Sequence, residues 1–332
     1  MADYKTIKGF NIQSVSSDPS NLSEGEIWYN TTSSTIKGYA TQAGTWSSGT
    51  AYPQGIQAGA GSAGIATALI VWGGDSDAGG PGYVKDCFSY NGSAWTATNA
   101  MNRDAGAYEP GLGTQTAALA GCYYRGSPAA NVNAVEEFDG TNWTEVNSMV
   151  NDVPYRNGNG TQTAGIMAGG KPIAAPSGAY QDVSETYDGT SWTEGNNLNT
   201  ARSAGCAHNG TSTACLTVGG RDGPGSSANT ELYDGTCWTE VNNLNTARYF
   251  MGGSGTSTLA LTYGGLHPPK TETESWDGTS WTEVNDLSAG RGGGGSGGTT
   301  NTSAVMASGG EPYNSAVEEW TTAVAVVTFT AS

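Results

Sequence analysis

The sequence predicts an all-β chain folded as a β-propeller, and three recurring features carry that prediction. Tryptophans fall at Trp46, Trp95, Trp143, Trp192, Trp238 and Trp281, 43 to 49 residues apart. Five of them close the same short turn: NGSAW (91–95), DGTNW (139–143), DGTSW (188–192), DGTCW (234–238) and DGTSW (277–281). About 20 residues upstream of each turn an apolar strand ends in glycine, as in ATALIVWGG (66–74), AALAG (117–121), AGIMAGG (164–170), ACLTVGG (214–220) and LALTYGG (259–265). AVMASGG (304–310) adds a sixth.

Each repeat reads as four strands. Strand a holds small residues, as in SAGCAHNGT (203–211) and FMGGSGT (250–256), because blades crowd together near a propeller axis. A Gly-Thr turn leads to strand b, the apolar strand ending in glycine. A variable loop follows, then strand c, which ends in an aromatic: Tyr90, Phe138, Tyr187, Tyr233 or Trp276. Asp-Gly or Asn-Gly between two aromatic-bearing strands signals a hairpin, since these residues accept positive φ. Strand d carries the tryptophan, whose bulk suits the wide outer part of the wedge.

Both chain ends depart from the pattern. KGYATQAGTW (37–46) reads as a hairpin with a longer turn and lacks strands a and b, while AVEEW (316–320) is followed by TTAVAVVTFT instead of a DGTxW turn. Six blades are expected, closed by the N-terminal hairpin or by strand 323–330; a seventh blade assembled from both ends is the alternative. The expected organisation is a segment 1–42 followed by a propeller over 43–332.

Composition narrows the function. The 51 glycines lack a collagen period and so serve turns and close backbone approach. A net charge of −17 argues against nucleic acid, and no apolar run is long enough to insert in a membrane as a helix. MADYKTIKGF lacks the apolar stretch of a secretory signal, so export by that route is not expected. The five cysteines, Cys87, Cys122, Cys206, Cys215 and Cys237, show no CxxC spacing and read as small apolar fillers. Only two histidines occur, His208 on predicted strand a and His267 in a loop, and no HExxH, P-loop or GxSxG pattern is present. No cofactor, metal or enzymatic activity is expected. The acidic residues mostly recur with the repeat, unlike a glycosidase's paired carboxylates.

The combination of Gly-Gly, E-x-aromatic-D-G, Trp and a following Arg resembles the Kelch repeat over about residues 43–320. Blades of the YDGTSWTEVNNLNTAR type are similar to those of Kelch-like proteins of phages of marine bacteria. EGEIWYNTTSSTIKGY (24–39) resembles the β-hairpin that opens many phage tail-fibre and virion appendage proteins. The resemblance implies a structural protein of the virion, assembled in the host cytoplasm, with residues 1–42 contacting other virion proteins. A capsid or tail decoration protein without a ligand, and a polysaccharide-cleaving propeller, are the competing readings.

Two sets of residues stand out. Arg103, Arg156, Arg202, Arg248 and Arg291 follow their blade's tryptophan by 8 to 13 residues, and Glu136, Glu185, Glu231, Glu274 and Glu318 each precede the strand-c aromatic by two. One of each per blade suggests interblade stitching. In an a-b-c-d meander the near-identical c–d turns share a face with the a–b turns. The b–c loops, which differ from blade to blade, open on the other. Diversity confined to one face suits recognition of a host-surface receptor or glycan, with Tyr83, Tyr123, Tyr124, Arg125, Tyr180, Arg221, His267 and Tyr313 as candidate contacts.

Overall fold

The computed structural model describes residues 12–76, 82–103, 111–125, 130–172, 179–205, 209–223 and 225–329. Among these are seven four-stranded sheets and one of three strands. The chain divides into two compact units, one of residues 1–45 with 321–332 and one of residues 46–320.

The larger unit holds six of the four-stranded sheets, each in a-b-c-d order. Blade 1 comprises Gly61–Ile65, Ala68–Trp72, Cys87–Tyr90 and Trp95–Thr98; blade 2, Gly111–Thr114, Ala117–Arg125, Ala130–Phe138 and Trp143–Val146. Blade 3 runs Asn157–Thr161, Ala164–Ala168, Ser184–Tyr187 and Trp192–Glu194; blade 4, Gly210–Thr211, Ala214–Arg221, Ser226–Tyr233 and Trp238–Val241. Blade 5 is Gly252–Gly255, Ala260–Tyr263, Thr273–Trp276 and Trp281–Glu283. Blade 6 takes Gly295–Thr300, Ser303–Ala307 and Val317–Thr321 from the late chain and its outermost strand, Thr45–Ser48, from the early chain. The architecture is a β-propeller.

Packing follows the small-inside, large-outside gradient. Strand-a glycines let blades meet: a Cβ on Gly111 of blade 2 would lie 2.1 Å from the Ser62 carbonyl of blade 1. The Ser62 hydroxyl donates to the Ser296 carbonyl of blade 6 at 2.8 Å and accepts from its N–H at 2.9 Å, so the first and last inner strands are neighbours. On the outside, the strand-c aromatic and the strand-d tryptophan are cross-strand partners. Ring centroids lie 4.6 Å apart for Tyr90–Trp95, 4.9 Å for Tyr187–Trp192 and Tyr233–Trp238, and 5.2 Å for Trp276–Trp281. Trp46 supplies the same group to blade 6, 5.5 Å from Trp320, and its indole N–H donates to Thr273 of blade 5 at 3.0 Å.

The chain ends differ from expectation in three ways. Strand 323–330 does not close the ring: Val324–Phe329 pairs with Thr35–Thr41 in the smaller unit. Residues 37–46 are not one hairpin, because Thr35–Thr41 and Thr45–Ser48 belong to different sheets. The boundary consequently falls at residue 45, and the N-terminal element includes the C-terminal strand. The smaller unit's sheet runs Gln13–Val15, Ile27–Asn30, Thr35–Thr41, Val324–Phe329, so the seventh four-stranded sheet is built from both chain ends. Its hairpin, Ile27–Asn30 against Thr35–Thr41, is the one read in EGEIWYNTTSSTIKGY. Asp18 pins it, accepting from Trp28 Nε1 at 3.0 Å and Asn30 Nδ2 at 2.7 Å and pairing with Lys37 at 2.8 Å. The Lys37 contact, then those two donors, hold the Asp18 carboxyl at about 2.

Candidate functional site

The two faces of the propeller differ in what builds them. On one, Asp139, Asp188, Asp234 and Asp277 each accept two backbone N–H groups of their own c–d turn through Oδ1, which lowers each carboxyl below its ordinary range. Asn91 does the same in blade 1 without charge, accepting from Ser93 and Ala94. The turn glycine, such as Gly235 at φ +93°, rests on a threonine of the a–b turn, so both turns share this face. Six a–b turn glycines, Gly64, Gly113, Gly160, Gly210, Gly255 and Gly298, one per blade, line a depression of about 610 Å³.

The expected arginine–glutamate stitching forms in four blades. Arg156–Glu185 and Arg248–Glu274 each meet at 2.9 Å, Arg202–Glu231 and Arg291–Glu318 are also in contact, and all eight side chains are buried. Each arginine lies in the crossover that leads into the blade of its glutamate. In three of the four, the arginine carbonyl is held from the preceding blade where the Gly-Gly pair ends strand b, by Gly170 N–H on Arg202 at 2.7 Å, Gly220 on Arg248 at 2.9 Å and Gly265 on Arg291 at 2.8 Å. Glycine at these pairs is required by proximity: a Cβ on Gly264, itself at φ +68°, would stand 2.2 Å from the Arg291 carbonyl. Burial pushes the Arg202 guanidinium below its ordinary value and brings Arg291 to about 10. Arg103 departs from the prediction. It stands eight residues after Trp95, where Arg202 stands ten after Trp192, and pairs half-exposed with Glu145. Buried Glu136 instead accepts from Asn102 N–H at 3.0 Å and Nδ2 at 2.9 Å.

The opposite face holds a more varied feature. A cavity of about 280 Å³ is lined by Tyr155, Lys171, Tyr180, Ser203, Arg221, Phe250 and His267, contributed by the b–c loops and d–a crossovers of blades 3, 4 and 5 and, for Arg221, by the end of strand b of blade 4. Lys171 lies 5.6 Å above the Tyr180 ring, and Arg221 lies 5.1 Å from the centre of Tyr249. The Tyr180 hydroxyl donates to the Gly223 carbonyl at 2.8 Å. Tyr249 stacks on His267 at 5.7 Å, and His267 Nδ1 is 3.3 Å from Glu311.

Two of the cavity aromatics occupy costly backbone positions. Tyr155 (φ 64°), Ala204 (55°), Phe250 (55°) and Gly293 (70°) each lie twelve residues after their blade's tryptophan and share the left-handed conformation. They form a chain of backbone hydrogen bonds between blades, with each carbonyl accepting the next residue's N–H: Ala204 on Tyr155 at 2.9 Å, Phe250 on Ala204 at 2.8 Å and Gly293 on Phe250 at 2.9 Å. The scaffold accepts glycine here, as Gly293 demonstrates. A bulky residue costs roughly 1–2 kcal/mol more.

Of the candidate contacts, Tyr180, Arg221 and His267 converge on this cavity. Tyr313 and Tyr83 lie elsewhere, around Asp75: Tyr313 donates to its carboxylate at 3.2 Å, and Tyr83 is its cross-strand partner. The side chains of Tyr123, Tyr124 and Arg125 and all of His208 fall outside the described residues, as do Cys206 and the Cys122 side chain. Cys215 and Cys237 are free thiols, the first buried, and Cys87 is buried against the Lys85 carbonyl. Tyr155, Lys171, Ser203 and Phe250 were not anticipated. Lys171 had a visible signal, since the residue after Gly-Gly is Asp75, Lys171, Arg221, Leu266 or Glu311 depending on the blade.

No protein-family profile matches the sequence, and no curated protein matches it. Among solved structures the chain is similar to one titled "Structure of YjhT", with a TM-score of 0.65 and 12% identity over 83% of this chain and 99% of that one. At that identity the likeness speaks for the propeller fold alone.

Proposed function

We propose that this chain is a non-enzymatic virion protein of the tail-fibre or appendage type in a bacteriophage, and that its Kelch-like propeller offers the b–c face to a host-surface glycan or receptor. One observation carries the reading. Residues from the variable loops and crossovers of three successive blades meet in one cavity, whereas the repeated turns lie on the other face. A fixed scaffold with variation gathered on one side suits recognition of an asymmetric partner. The phage assignment rests on the YDGTSWTEVNNLNTAR-type blades and the EGEIWYN hairpin. Attachment to other virion proteins through residues 1–42 is supported by the smaller unit's sheet, which exposes Ile27, Val324, Val326 and Phe329. Val324–Phe329 therefore belongs to the attachment element.

The two faces can be blocked separately. Cys237 is exposed in a c–d turn, and Asp222 is exposed beyond strand b of blade 4. A polyethylene glycol maleimide on Cys237 should leave binding to the host surface intact. The same group on Asp222→Cys, in a Cys237→Ser background, should abolish it. Equal binding by both conjugates would favour a decoration protein that recognises nothing.

A further inference from the structure

We infer that the cavity of blades 3, 4 and 5 is a subsite for a single carboxylated sugar ring, whose carboxylate lies between Lys171 and Arg221 and whose apolar face rests on Tyr155 and Phe250; this builds on the recognition reading above. The charge is the first argument. The chain has 13 cationic side chains against 30 acidic ones, yet two of the 13 line this one small cavity. Both occupy the position after Gly-Gly, where other blades carry Asp75, Leu266 or Glu311, so the fold does not require a cation there. Each cation is steadied on an aromatic face, Lys171 on Tyr180 and Arg221 on Tyr249, which pre-orients a clamp for an anion. Lys171 makes no ion pair among the described residues.

The walls are the second argument. Tyr155 and Phe250 hold left-handed backbone where Gly293 shows that glycine serves the ring of hydrogen bonds, so their rings answer to something besides folding. Flat aromatic surfaces beside a cationic clamp suit a ligand with an apolar ring face and one carboxylate. The volume, about 280 Å³, has room for one ring and not for an oligomer. A polyanion is disfavoured, because Glu311 approaches the rim through His267 and the molecule as a whole is acidic.

The test titrates the full-length chain with D-glucuronate and with D-glucose, following ligand signals by saturation-transfer NMR. Glucuronate should bind and glucose should not at equal concentration. Arg221→Ala and Lys171→Ala should each weaken glucuronate binding about tenfold or more, with Arg221→Lys retaining part of it. Phe250→Gly should lose binding without lowering the thermal midpoint, a result that separates loss of the ligand wall from loss of fold. Equal binding of glucose, or glucuronate binding indifferent to both cation variants, overturns the inference. So does absence of glucuronate binding; if the conjugate at residue 222 still blocks the host surface, recognition stands and only the ligand class fails. Cation-dependent glucuronate binding alongside equal surface binding by both conjugates would instead sustain the site and remove the recognition role.

Discussion

Blade 1 and blade 4 solve the same interblade problem with opposite chemistry. In blade 4, Arg202 and Glu231 are buried as an ion pair, and Asn199 completes it by donating its N–H (2.7 Å) and Nδ2 (2.9 Å) to the same carboxylate. The equivalent positions of blade 1, counted from Trp46 and Tyr90, are Ile56, Phe88 and Pro53. Ile56 is fully buried and Phe88 packs edge-on to Tyr52 at 5.3 Å. Pro53 has no N–H, so no donor is stranded where the carboxylate is missing. The difference teaches that the wedge does not need charge; where a charge is buried there, its countercharge is buried with it.

Breaking that pairing should give the largest effect. Glu231→Gln leaves the Arg202 guanidinium buried without a countercharge and should cost about 3–5 kcal/mol in urea unfolding. Transplanting blade 1's solution, Arg202→Ile with Asn199→Pro and Glu231→Phe, should recover most of that loss; a triple variant no better than the single one would refute the equivalence of the two blades. A smaller effect, about 1 kcal/mol, is expected for Glu136→Gln, because the Asn102 donors keep an acceptor and Arg103 pairs elsewhere. The smallest effect concerns the turns. The lowered carboxyls of Asp139, Asp188, Asp234 and Asp277 contribute stability above the unfolded carboxylate value, about 4, and lose it as the pH falls through their folded values. Asparagine at all four, as Asn91 already stands in blade 1, should flatten the fall in thermal midpoint below about pH 4. An unchanged acid profile would place that pH dependence elsewhere.

Much of this was legible because the repeat exposes its own rules. Trp, Asp-Gly and Gly-Gly each mark a backbone or packing demand that no other residue meets as well. Even the failure of Arg103 was written in its spacing: Arg202, Arg248 and Arg291 follow their tryptophans by ten residues, Arg103 by eight. Arg156, at thirteen, still reaches Glu185, from just beyond the left-handed residue at position twelve, where the other three arginines stand two residues before it. The cavity was only half visible. Tyr180, Arg221 and His267 could be singled out as loop residues, but which loops meet depends on distances between blades. Tyr155 and Phe250 were hidden because their shared position is defined by φ, and its occupants, Tyr, Ala, Phe and Gly, have no side-chain property in common. The outer closure strand was obscured for another reason: Thr45–Ser48 lies far in sequence from Val317–Thr321, and no local pattern announces that pairing.

That closure also sets a clock. Thr45–Ser48 leaves the ribosome before any other strand of the propeller, and its partner is made some 270 residues later. At roughly 5–20 residues per second, Trp46 waits on the order of tens of seconds before it can dock. Five blades can complete their own sheets before Val317 is made, and the sixth cannot. Closing blade 6 therefore joins the earliest-made strand of the propeller to the latest-made, and a chain stalled short of Val317 leaves blade 6 without a place for Trp46.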